Sequence, residues 1–503
     1  MARYDAIVIG GGHNGLVAAA YLARAGRRTV VLERRPVLGG AAVSEAIWPG
    51  WTVSTAAYVC SLLHPEIIAE LDLARHGYSA YPKSPASFTP LLDGRSLLLG
   101  DGANDAREIG AFCADDVQGY VRFEREAMRL GAVLADAFDA PTAQLTDFDD
   151  ATRGALEGSA AELVERFVQT PVLGATLVTD GLIGTYAGPR DAGTGYVLAH
   201  HYAGRALGTQ GLWGYVRGGM GAVSNAIAGA AAAAGAELRT GSEVARIVVR
   251  DGRAAGVVLA DGTQLGADAV LSNAHPALTF GAMLEPGDVP PAIARRLRTW
   301  RSEGVSLKLN LALGELPNFS ARPGTAVQAH HRATIHVAPS IDYLQTAHDD
   351  ARRGGVSREP MLECFMQTPT DPSLAPPGKH LLSIFAQYYP YARADGAWDD
   401  QKREAAADSI VATLARYAPN LPGAIEARQI LAPPDLEARF GLCGGQIFHG
   451  ELLPGQVLGE RFPAATGIEH LYLCGSGASP GGCVSGIPGR RAARAALHAL
   501  VEV

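Results

Sequence analysis

The chain has 503 residues, which is longer than one hydrophobic core normally supports, so two domains are expected. Hydrophobic residues make up 48% and charged residues 19%, a globular composition that excludes a disordered protein. The net charge of −8, without a local basic run, argues against a nucleic-acid-binding surface, and we expect no nucleic-acid partner.

The cysteine pattern and the hydropathy bear on location. The six cysteines are scattered, without a CxxC pair or zinc-like spacing, which favours reduced thiols in a cytoplasmic protein and predicts no metal site. The first apolar strand begins about five residues into the chain, so we predict no signal peptide. No window of about 20 apolar residues occurs, so any membrane contact is expected to be peripheral.

The first 33 residues predict a βαβ unit that binds a dinucleotide. Residues 4–9 are an apolar, β-branched strand, residues 16–25 are an Ala/Leu-rich helix and residues 29–32 are a second strand. A GxGxxG turn joins the first strand to the helix, so that phosphates can approach the backbone and the helix N-terminus. The predicted phosphate-binding residues of this turn are Gly10, Gly12, His13, Asn14 and Gly15.

The segment after the second strand predicts which dinucleotide is bound. Glu33 lies about 20 residues beyond the turn, where an acid binds ribose hydroxyls. The run from Glu33 through a Gly-Gly turn to Ser44 resembles the extended fingerprint of the glutathione-reductase-like flavoproteins, in which that turn lies along the cofactor. The resemblance implies FAD rather than NAD, with contacts from Arg34, Gly39, Gly40 and Ala41.

Two later segments complete the predicted cofactor site. Residues 237–275 alternate short strands with Asp-Gly turns and resemble the three-stranded excursion of this superfamily, where the backbone at Val244 would face the adenine. Residues 471–474 are a strand, followed by a glycine-rich turn and a helix from about residue 487. In such flavoproteins this helix N-terminus points at the flavin, which implies contacts from Gly475, Gly482, Cys483 and Val484.

A family resemblance rests on five segments, namely GGGHNGLVAAAYLARAG, VLERRPVLGGAA, STAAYVCSLLHPEI, GGQIFHGEL and GASPGGCVSGIPGRRAA. They resemble the phytoene-dehydrogenase-related flavoproteins, and among them the branch of pyridine nucleotide-disulfide oxidoreductase domain-containing protein 2. The pattern departs from relatives at Ala41, where amine oxidases usually carry Arg, and at Cys483, where glycine is usual.

This resemblance implies an α/β fold in which a glutathione-reductase-like Rossmann FAD-binding domain is joined to a discontinuous, mixed α+β substrate domain. The FAD-binding domain is expected from residues 1–80, 206–280 and 436–503. The substrate domain is expected from residues 81–205 and 281–435.

The implied reaction is hydride transfer from a C–H bond of a largely apolar or conjugated small molecule to flavin N5, by a dehydrogenase (desaturase-like) or an oxidase. A flavin amine oxidase is an alternative, with Lys308 as a possible flavin-linked lysine, although pairing of Lys308 with a carboxylate at a strand end is favoured. A flavoprotein isomerase or binding scaffold without net redox turnover is another. The electron acceptor, with oxygen and quinones as options, and the oligomeric state stay open.

Three residues are the catalytic candidates. His449 precedes the C-terminal turn, and the resemblance places it near the flavin, where it could act as acid or base near neutral pH. Tyr58 and His64 follow the Gly-Gly turn in a segment that could line the substrate side of the flavin. Cys483 precedes a helix N-terminus, which favours a thiolate; replacement of glycine by a small residue is the favoured explanation and covalent flavin attachment the alternative.

Overall fold

A computed structural model describes residues 2–501 of the chain. In chain order the strands are β1 (Ala2–Ile9), β2 (Thr29–Leu32), β3 (Ser44–Trp48), β4 (Trp51–Ser54), β5 (Ala80–Pro82), β6 (Ser87–Pro90), β7 (Ser96–Leu99), β8 (Gly214–Val216), β9 (Glu237–Arg239), β10 (Val244–Arg250), β11 (Arg253–Leu259), β12 (Gln264–Ser272), β13 (Ser306–Leu313), β14 (Thr334–Val337), β15 (Met361–Phe365), β16 (His380–Gln387), β17 (Ile425–Leu431) and β18 (Leu471–Leu473).

The α-helices follow the same numbering. They are α1 (His13–Arg24), α2 (Pro65–Glu70), α3 (Asp105–Gly110), α4 (Ala114–Asp139), α5 (Asp150–Glu157), α6 (Ala160–Glu165), α7 (Pro171–Val178), α8 (Thr194–His201), α9 (Gly221–Ala233), α10 (Pro276–Gly281), α11 (Pro291–Thr299), α12 (Ile341–Arg352), α13 (Asp400–Ala415), α14 (Leu421–Ala424), α15 (Pro433–Phe440) and α16 (Ile487–Val501).

The first sheet is parallel, in the order β9-β2-β1-β12-β18, with the antiparallel strands β11 and β10 continuing from β12. Ile9, the last residue of β1, pairs with Leu32 on one side and Ser272 on the other. The carboxyl ends of these strands therefore meet at one edge, where the GxGxxG turn leads into α1. The helix begins at His13 rather than at the predicted Leu16, because Gly12 is its N-cap.

Strand β1 is buried on both faces, as its continuous apolar run predicts. Ala6 and Val8 pack with α1, α9 and α16 in one core, whereas Ile7 and Ile9 pack with the β10–β12 meander, α10 and α11 in another. Helices therefore cover one face of this Rossmann-like sheet and the meander covers the other.

The second sheet has the order β17-β13-β16-β15-β14-β6-β7 and is antiparallel except between β14 and β6. Leu307, Leu309 and Leu311 of β13 pack on the side of α13. The registers of β13, β16, β15 and β14 align four residues across the other face, namely Lys308, Phe385, Glu363 and His336. Helices α4 to α8 form a further core of their own, built around Phe123 of α4.

The two sheets follow the predicted division of the chain into segments. The strands of the first sheet fall within residues 1–80, 206–280 and 436–503, and those of the second within residues 81–205 and 281–435. The short strand β5 lies across the predicted boundary at residue 80 and pairs with β8. The domain boundaries themselves stay predictions.

Candidate functional site

A continuous cavity of about 720 Å³ runs from the carboxyl edge of the first sheet to the polar face of the second. The GxGxxG turn forms one end of its wall. Residues of α4, α7 and the turn that follows α7 enclose the other end. The GxGxxG turn therefore borders the same cavity as the buried chamber enclosed by α4 and α7.

Ten of the fifteen predicted cofactor residues line this cavity. They are Gly10, Gly12, His13, Glu33, Arg34, Gly40, Ala41, Val244, Cys483 and Val484. The turn residues of both glycine-rich segments and the first residue of the meander are thus brought together. Sequence reasoning missed Asn273, Ser476 and Arg35, which also line the cavity.

The other five predicted contacts, Asn14, Gly15, Gly39, Gly475 and Gly482, do not line the cavity, and their contact with the cofactor stays a prediction. A Cβ added at Gly15 would lie 2.2 Å from the Gly10 carbonyl oxygen, and one at Gly482 would lie 2.7 Å from the Phe448 Cβ. These glycines allow close packing behind the wall. The Asn14 side chain donates to Ser476 Oγ at 3.3 Å and links the two turns.

The two N-terminal glycine turns touch each other directly. The Gly39 N–H donates to the Gly11 carbonyl at 2.8 Å, and Gly12 pairs with Gly39 in an isolated bridge. A Cβ added at Gly40 would lie 3.1 Å from the Gly12 Cα. Any side chain larger than hydrogen would therefore close this part of the cavity wall. A phosphate-binding surface requires such bare backbone, because the phosphate must approach it closely.

Glu33 is held in place by two backbone donors. Its carboxylate accepts the Gly11 N–H at 2.7 Å and the Arg35 N–H at 2.8 Å. Glu33 lines the cavity, and the residue is 6% exposed. The acid predicted to bind ribose hydroxyls therefore also fixes the shape of the GxGxxG turn.

His449 lines the cavity on a strained loop, with φ of 58°. Burial, followed by the neighbouring His275 and the positive charge of Arg461, holds the pKa of His449 well below its usual range. The imidazole is therefore neutral at physiological pH. A neutral imidazole can accept a proton or a hydrogen bond, and the catalytic role of His449 stays a prediction.

Arg461 organises the loop that carries His449. Its guanidinium is 0% exposed and donates to the carbonyls of Phe448 at 2.8 Å, Glu451 at 2.9 Å and Ser476 at 2.9 Å. No carboxylate of residues 2–501 forms an ion pair with it. Arg461 thus ties the His449 loop to the C-terminal glycine turn.

Tyr58 lies where the two ends of the cavity meet. Its ring centroid is 4.2 Å from that of Phe365, and the Lys308 Nζ is 4.6 Å from the centre of the Tyr58 ring. Burial, with the nearby Glu363 carboxylate, raises the pKa of Tyr58 well above its usual value, so the phenol is protonated. A catalytic role for Tyr58 stays a prediction.

Lys308 faces the cavity from the middle of β13 and is 3% exposed. Its ammonium donates to Ser383 Oγ. Within the described chain it forms no ion pair, which corrects the expected carboxylate partner at a strand end. Burial lowers the pKa of Lys308 to about 7.

His64 is absent from the cavity lining, and its catalytic role stays a prediction. Its Nδ1 accepts the Glu66 N–H at 3.3 Å and caps α2, while its Nε2 lies 3.2 Å from an Asp139 carboxylate oxygen. The segment after the Gly-Gly turn leaves the cavity between Tyr58 and His64. His64 therefore stabilises a helix end.

Cys483 lines the cavity with φ of 68°, a left-handed conformation that favours glycine. This explains why glycine is usual at the position. Burial raises the pKa of the Cys483 thiol to about 12, which favours the protonated thiol over the expected thiolate. Whether Cys483 attaches to a cofactor stays open.

Sequence reasoning missed four further cavity residues of the second sheet region, namely Lys83, Asp180, His336 and Glu363. For His336 and Glu363 the signal that could have found them is the alternation in the strands, whereas Lys83 and Asp180 lie outside those strands and carry no such signal. In TIHV and MLECF, as in SLKLNLAL, every second residue is apolar and packs in the α13 core. The intervening polar residues are buried too, and a buried polar face of a sheet lines a cavity.

The polar atoms of the nucleotide end fit a polar cofactor. His13 Nε2 and His449 Nδ1 are buried, line the cavity with their side chains and lack a hydrogen-bond partner among residues 2–501. Such atoms normally find partners. Together with the glycine turns and Glu33, they provide donors and acceptors around a dinucleotide.

Comparison with known proteins agrees with this site. Residues 15–497 match the family described as "Flavin containing amine oxidoreductase". The chain belongs to this family. It is 41% identical to mouse pyridine nucleotide-disulfide oxidoreductase domain-containing protein 2, over 99% of this chain and 94% of that protein. Its cofactor is therefore FAD, and the predicted relationship to this branch of FAD-dependent oxidoreductases is confirmed.

More distant relatives share the fold. A phytoene desaturase (lycopene-forming) of a Paracoccus strain is 27% identical over 98% of this chain and 97% of that protein. The solved structure of a mutant putrescine oxidase superposes on this chain with a TM-score of 0.60 at 17% identity, covering 100% of both chains. At that identity the likeness shows a shared fold and no shared substrate.

No helix of residues 2–501 is both long enough and apolar enough to span a bilayer. No group of three or more His, Cys, Asp or Glu side chains in that range is arranged to hold a metal ion.

Proposed function

We propose that this FAD-dependent oxidoreductase oxidises a small, largely apolar molecule by removing hydride from one of its C–H bonds inside the cavity. The observation that carries the proposal is the continuity of the cavity, which joins the FAD-binding turns to a buried chamber. When bound, FAD supplies the hydride acceptor at N5. The chain supplies orientation, exclusion of water and proton acceptors.

Apolar side chains form much of the chamber wall and exclude water. Phe365 and Phe385 pack around Tyr58, with ring centroids 4.2 and 6.0 Å from its own, and Ile183 and Phe448 also line the space. A substrate with an apolar body would be oriented by these rings. The neutral His449 would offer a hydrogen bond at the nucleotide end.

Loss of hydride from a C–H bond leaves a cation that must also lose a proton. Asp180 and Glu363 line the same chamber and can accept it. Glu363 is already paired with His336, whose Nε2 lies 3.2 Å from its carboxylate. We therefore propose Asp180 as the acceptor, which makes a dedicated histidine base unnecessary.

The decisive experiment is anaerobic titration of the FAD-loaded protein with candidate substrates while the flavin absorbance is followed. Stoichiometric bleaching by an apolar alkene or alcohol supports the proposal. Bleaching by amines alone would establish amine oxidation instead. If no redox-active candidate bleaches a flavin that dithionite reduces normally, the protein is an isomerase or binding scaffold.

For the second half-reaction we propose oxygen or a quinone as the electron acceptor and the cytoplasm as the compartment. All six cysteines are free thiols, which supports a reducing location. Mixing the reduced protein with oxygen or with a soluble quinone, and timing the return of flavin absorbance, identifies the faster acceptor. Reoxidation by neither would contradict this part of the proposal.

A further inference from the structure

His201, the last residue of α8, has a ring nitrogen that residues 2–501 leave without a hydrogen-bond partner. The residue is 1% exposed and lines the cavity. Its Nδ1 lies 2.8 Å from the Val197 carbonyl oxygen, one helical turn earlier. Because a carbonyl oxygen can only accept a hydrogen bond, Nδ1 carries a proton and donates it. In the neutral imidazole the lone pair is therefore on Nε2, the nitrogen without a partner.

His200 and His201 are adjacent in the chain but differ in what their side chains face. Both ring nitrogens of His200 are unpaired and enclosed by protein atoms, and His200 does not line the cavity. Its ring packs on Phe138, with the centroids 5.1 Å apart. The Nε2 of His201 is unpaired but is not enclosed in this way, although the residue as a whole is buried. Since the cavity is the space that His201 lines, Nε2 is open to it.

Two aromatic rings hold His201 and locate it within the cavity. Trp213 stacks on the imidazole with the ring centroids 5.5 Å apart and the planes at 27°, and the Phe448 centroid is 6.5 Å away. Both rings line the cavity, as does Leu212, which is 38% exposed and so lies at the surface. Phe448 directly precedes His449 of the nucleotide end. His201 therefore lies between the surface at Leu212 and the loop that carries His449.

We propose that His201 Nε2 accepts a hydrogen bond from the substrate, so that the enzyme selects a largely apolar molecule that carries an O–H or N–H donor. The inference rests on the proposed function and names a group by which its substrate is recognised. The Trp213 and Phe448 rings would pack on the apolar part next to the donor. His201 acts in recognition, and Asp180 stays the proposed proton acceptor.

A ligand without a donor would leave this acceptor unpaired. A buried acceptor that loses its partner costs free energy, and a ligand oxygen that can only accept would meet the Nε2 lone pair unfavourably. A hydroxyl and an ammonium can both donate. Asp180, Glu363 and the face of the Trp213 ring favour an ammonium electrostatically, whereas a hydroxyl costs less to remove from water. The two kinds of donor are therefore compared directly in the experiment.

The first test uses the wild-type protein loaded with FAD, with the flavin kept reduced under anaerobic conditions so that no ligand is oxidised. Calorimetric titration at about pH 8, where amines are protonated, gives the Kd of 2-octanol, 2-aminooctane and 2-octanone. These ligands share one carbon chain, and the ketone can only accept hydrogen bonds. We expect the better donor to bind at least about fivefold more tightly than the ketone, the equivalent of about 1 kcal/mol. A ketone that binds as tightly as both donors would overturn the inference.

The second test removes the acceptor and keeps the ring. His201→Phe should abolish the preference for the donor over 2-octanone, because phenylalanine can still pack on Trp213 but cannot accept a hydrogen bond. His200→Phe is the matched control, since it makes the same change at the adjacent residue outside the cavity lining. It should keep the wild-type preference. A preference that persists in His201→Phe, or that both variants lose equally, would overturn the inference.

Poor folding of His201→Phe does not remove the test, because the wild-type ranking of donor over ketone stands alone. Failure of the two proposals is also distinguishable. Flavin bleaching by substrates, without any preference for donors over the ketone, would overturn the role of His201 alone. A donor preference that depends on His201, with no bleaching by any candidate, would overturn the proposed oxidation and leave a binding protein.

Discussion

At the scale of single residues, buried charges divide according to what satisfies them. Glu33 is satisfied by two backbone N–H groups, and its position could be predicted because the spacing from the turn is local. Lys308 donates one hydrogen bond, to Ser383 Oγ, and otherwise faces the Tyr58 ring and the cavity. Glu33 thus shapes the cofactor-binding turn, whereas Lys308 is left available to a molecule that binds in the cavity.

Replacement of Glu33 tests its double role. Glu33→Ala should weaken FAD binding by the apoprotein about 10- to 100-fold, because two charge-assisted hydrogen bonds and the ribose acceptor are lost. Titration of the apoprotein with FAD, followed by quenching of flavin fluorescence, measures the effect.

Asp5→Ala is the matched control for Glu33→Ala. Asp5 also accepts a backbone N–H, from Arg28 at 2.8 Å, but lies at the exposed end of the same sheet. We expect its FAD affinity to equal that of the wild type. Equal losses in both variants would mean that Glu33 acts only through the stability of the sheet.

At the scale of elements, the helices α1 and α16 pack through a glycine. A Cβ added at Gly489 would lie 2.1 Å from the Asn14 carbonyl oxygen, so only glycine allows the two N-termini to approach this closely. Both helices point their N-termini toward the cavity side of the first sheet. The sequence predicted each helix but not this contact, since residues 14 and 489 are far apart in the chain.

Gly489→Ala should lower the free energy of unfolding by about 1–3 kcal/mol through overpacking, and should weaken FAD binding because the two turns move apart. Gly154→Ala on exposed α5 is the comparison, since an added Cβ there meets nothing within 4 Å. It should stabilise the protein by about 0.5–1 kcal/mol. Urea unfolding checks both, and equal effects would contradict the packing argument.

Strand β13 shows the limit of element-scale prediction. Its apolar alternation predicts a strand, and the strand spans Ser306–Leu313. The sequence did not reveal that the polar face of β13 is also buried, because polar residues occur both on faces exposed to solvent and on faces that line a cavity. Only the neighbouring helices α7 and α8 distinguish the two.

At the scale of the whole molecule, the cavity exists because the two large sheets are built from segments that alternate along the chain. Lys308 of the second sheet is buried beside the cavity, which lowers its pKa to about 7. An unfolded lysine has a pKa of about 10.4, so the unfolded state binds more protons between these values. Stability contributed by this group therefore rises with pH across that window.

Lys308→Met tests this whole-molecule effect. The variant should be more stable than the wild type at about pH 7, and its advantage should shrink toward about pH 10 by up to 1.4 kcal/mol per pH unit. Thermal unfolding of both FAD-loaded proteins across this range measures the difference. If the stabilities of the two proteins change in parallel with pH, burial does not lower the pKa of Lys308 in the folded state.

The sequence by itself determined the FAD-binding βαβ unit, the meander, the C-terminal helix and most of the cofactor wall, because glycine turns, strand periodicity and the Glu33 spacing act over short distances along the chain. The tertiary structure decided which residues face the chamber. It brought Lys83, Asp180 and Glu363 into one cavity lining, placed His64 outside that lining and buried His449, which lowers the pKa of its imidazole. Burial and electrostatic environment depend on contacts between segments hundreds of residues apart, and no local pattern encodes them.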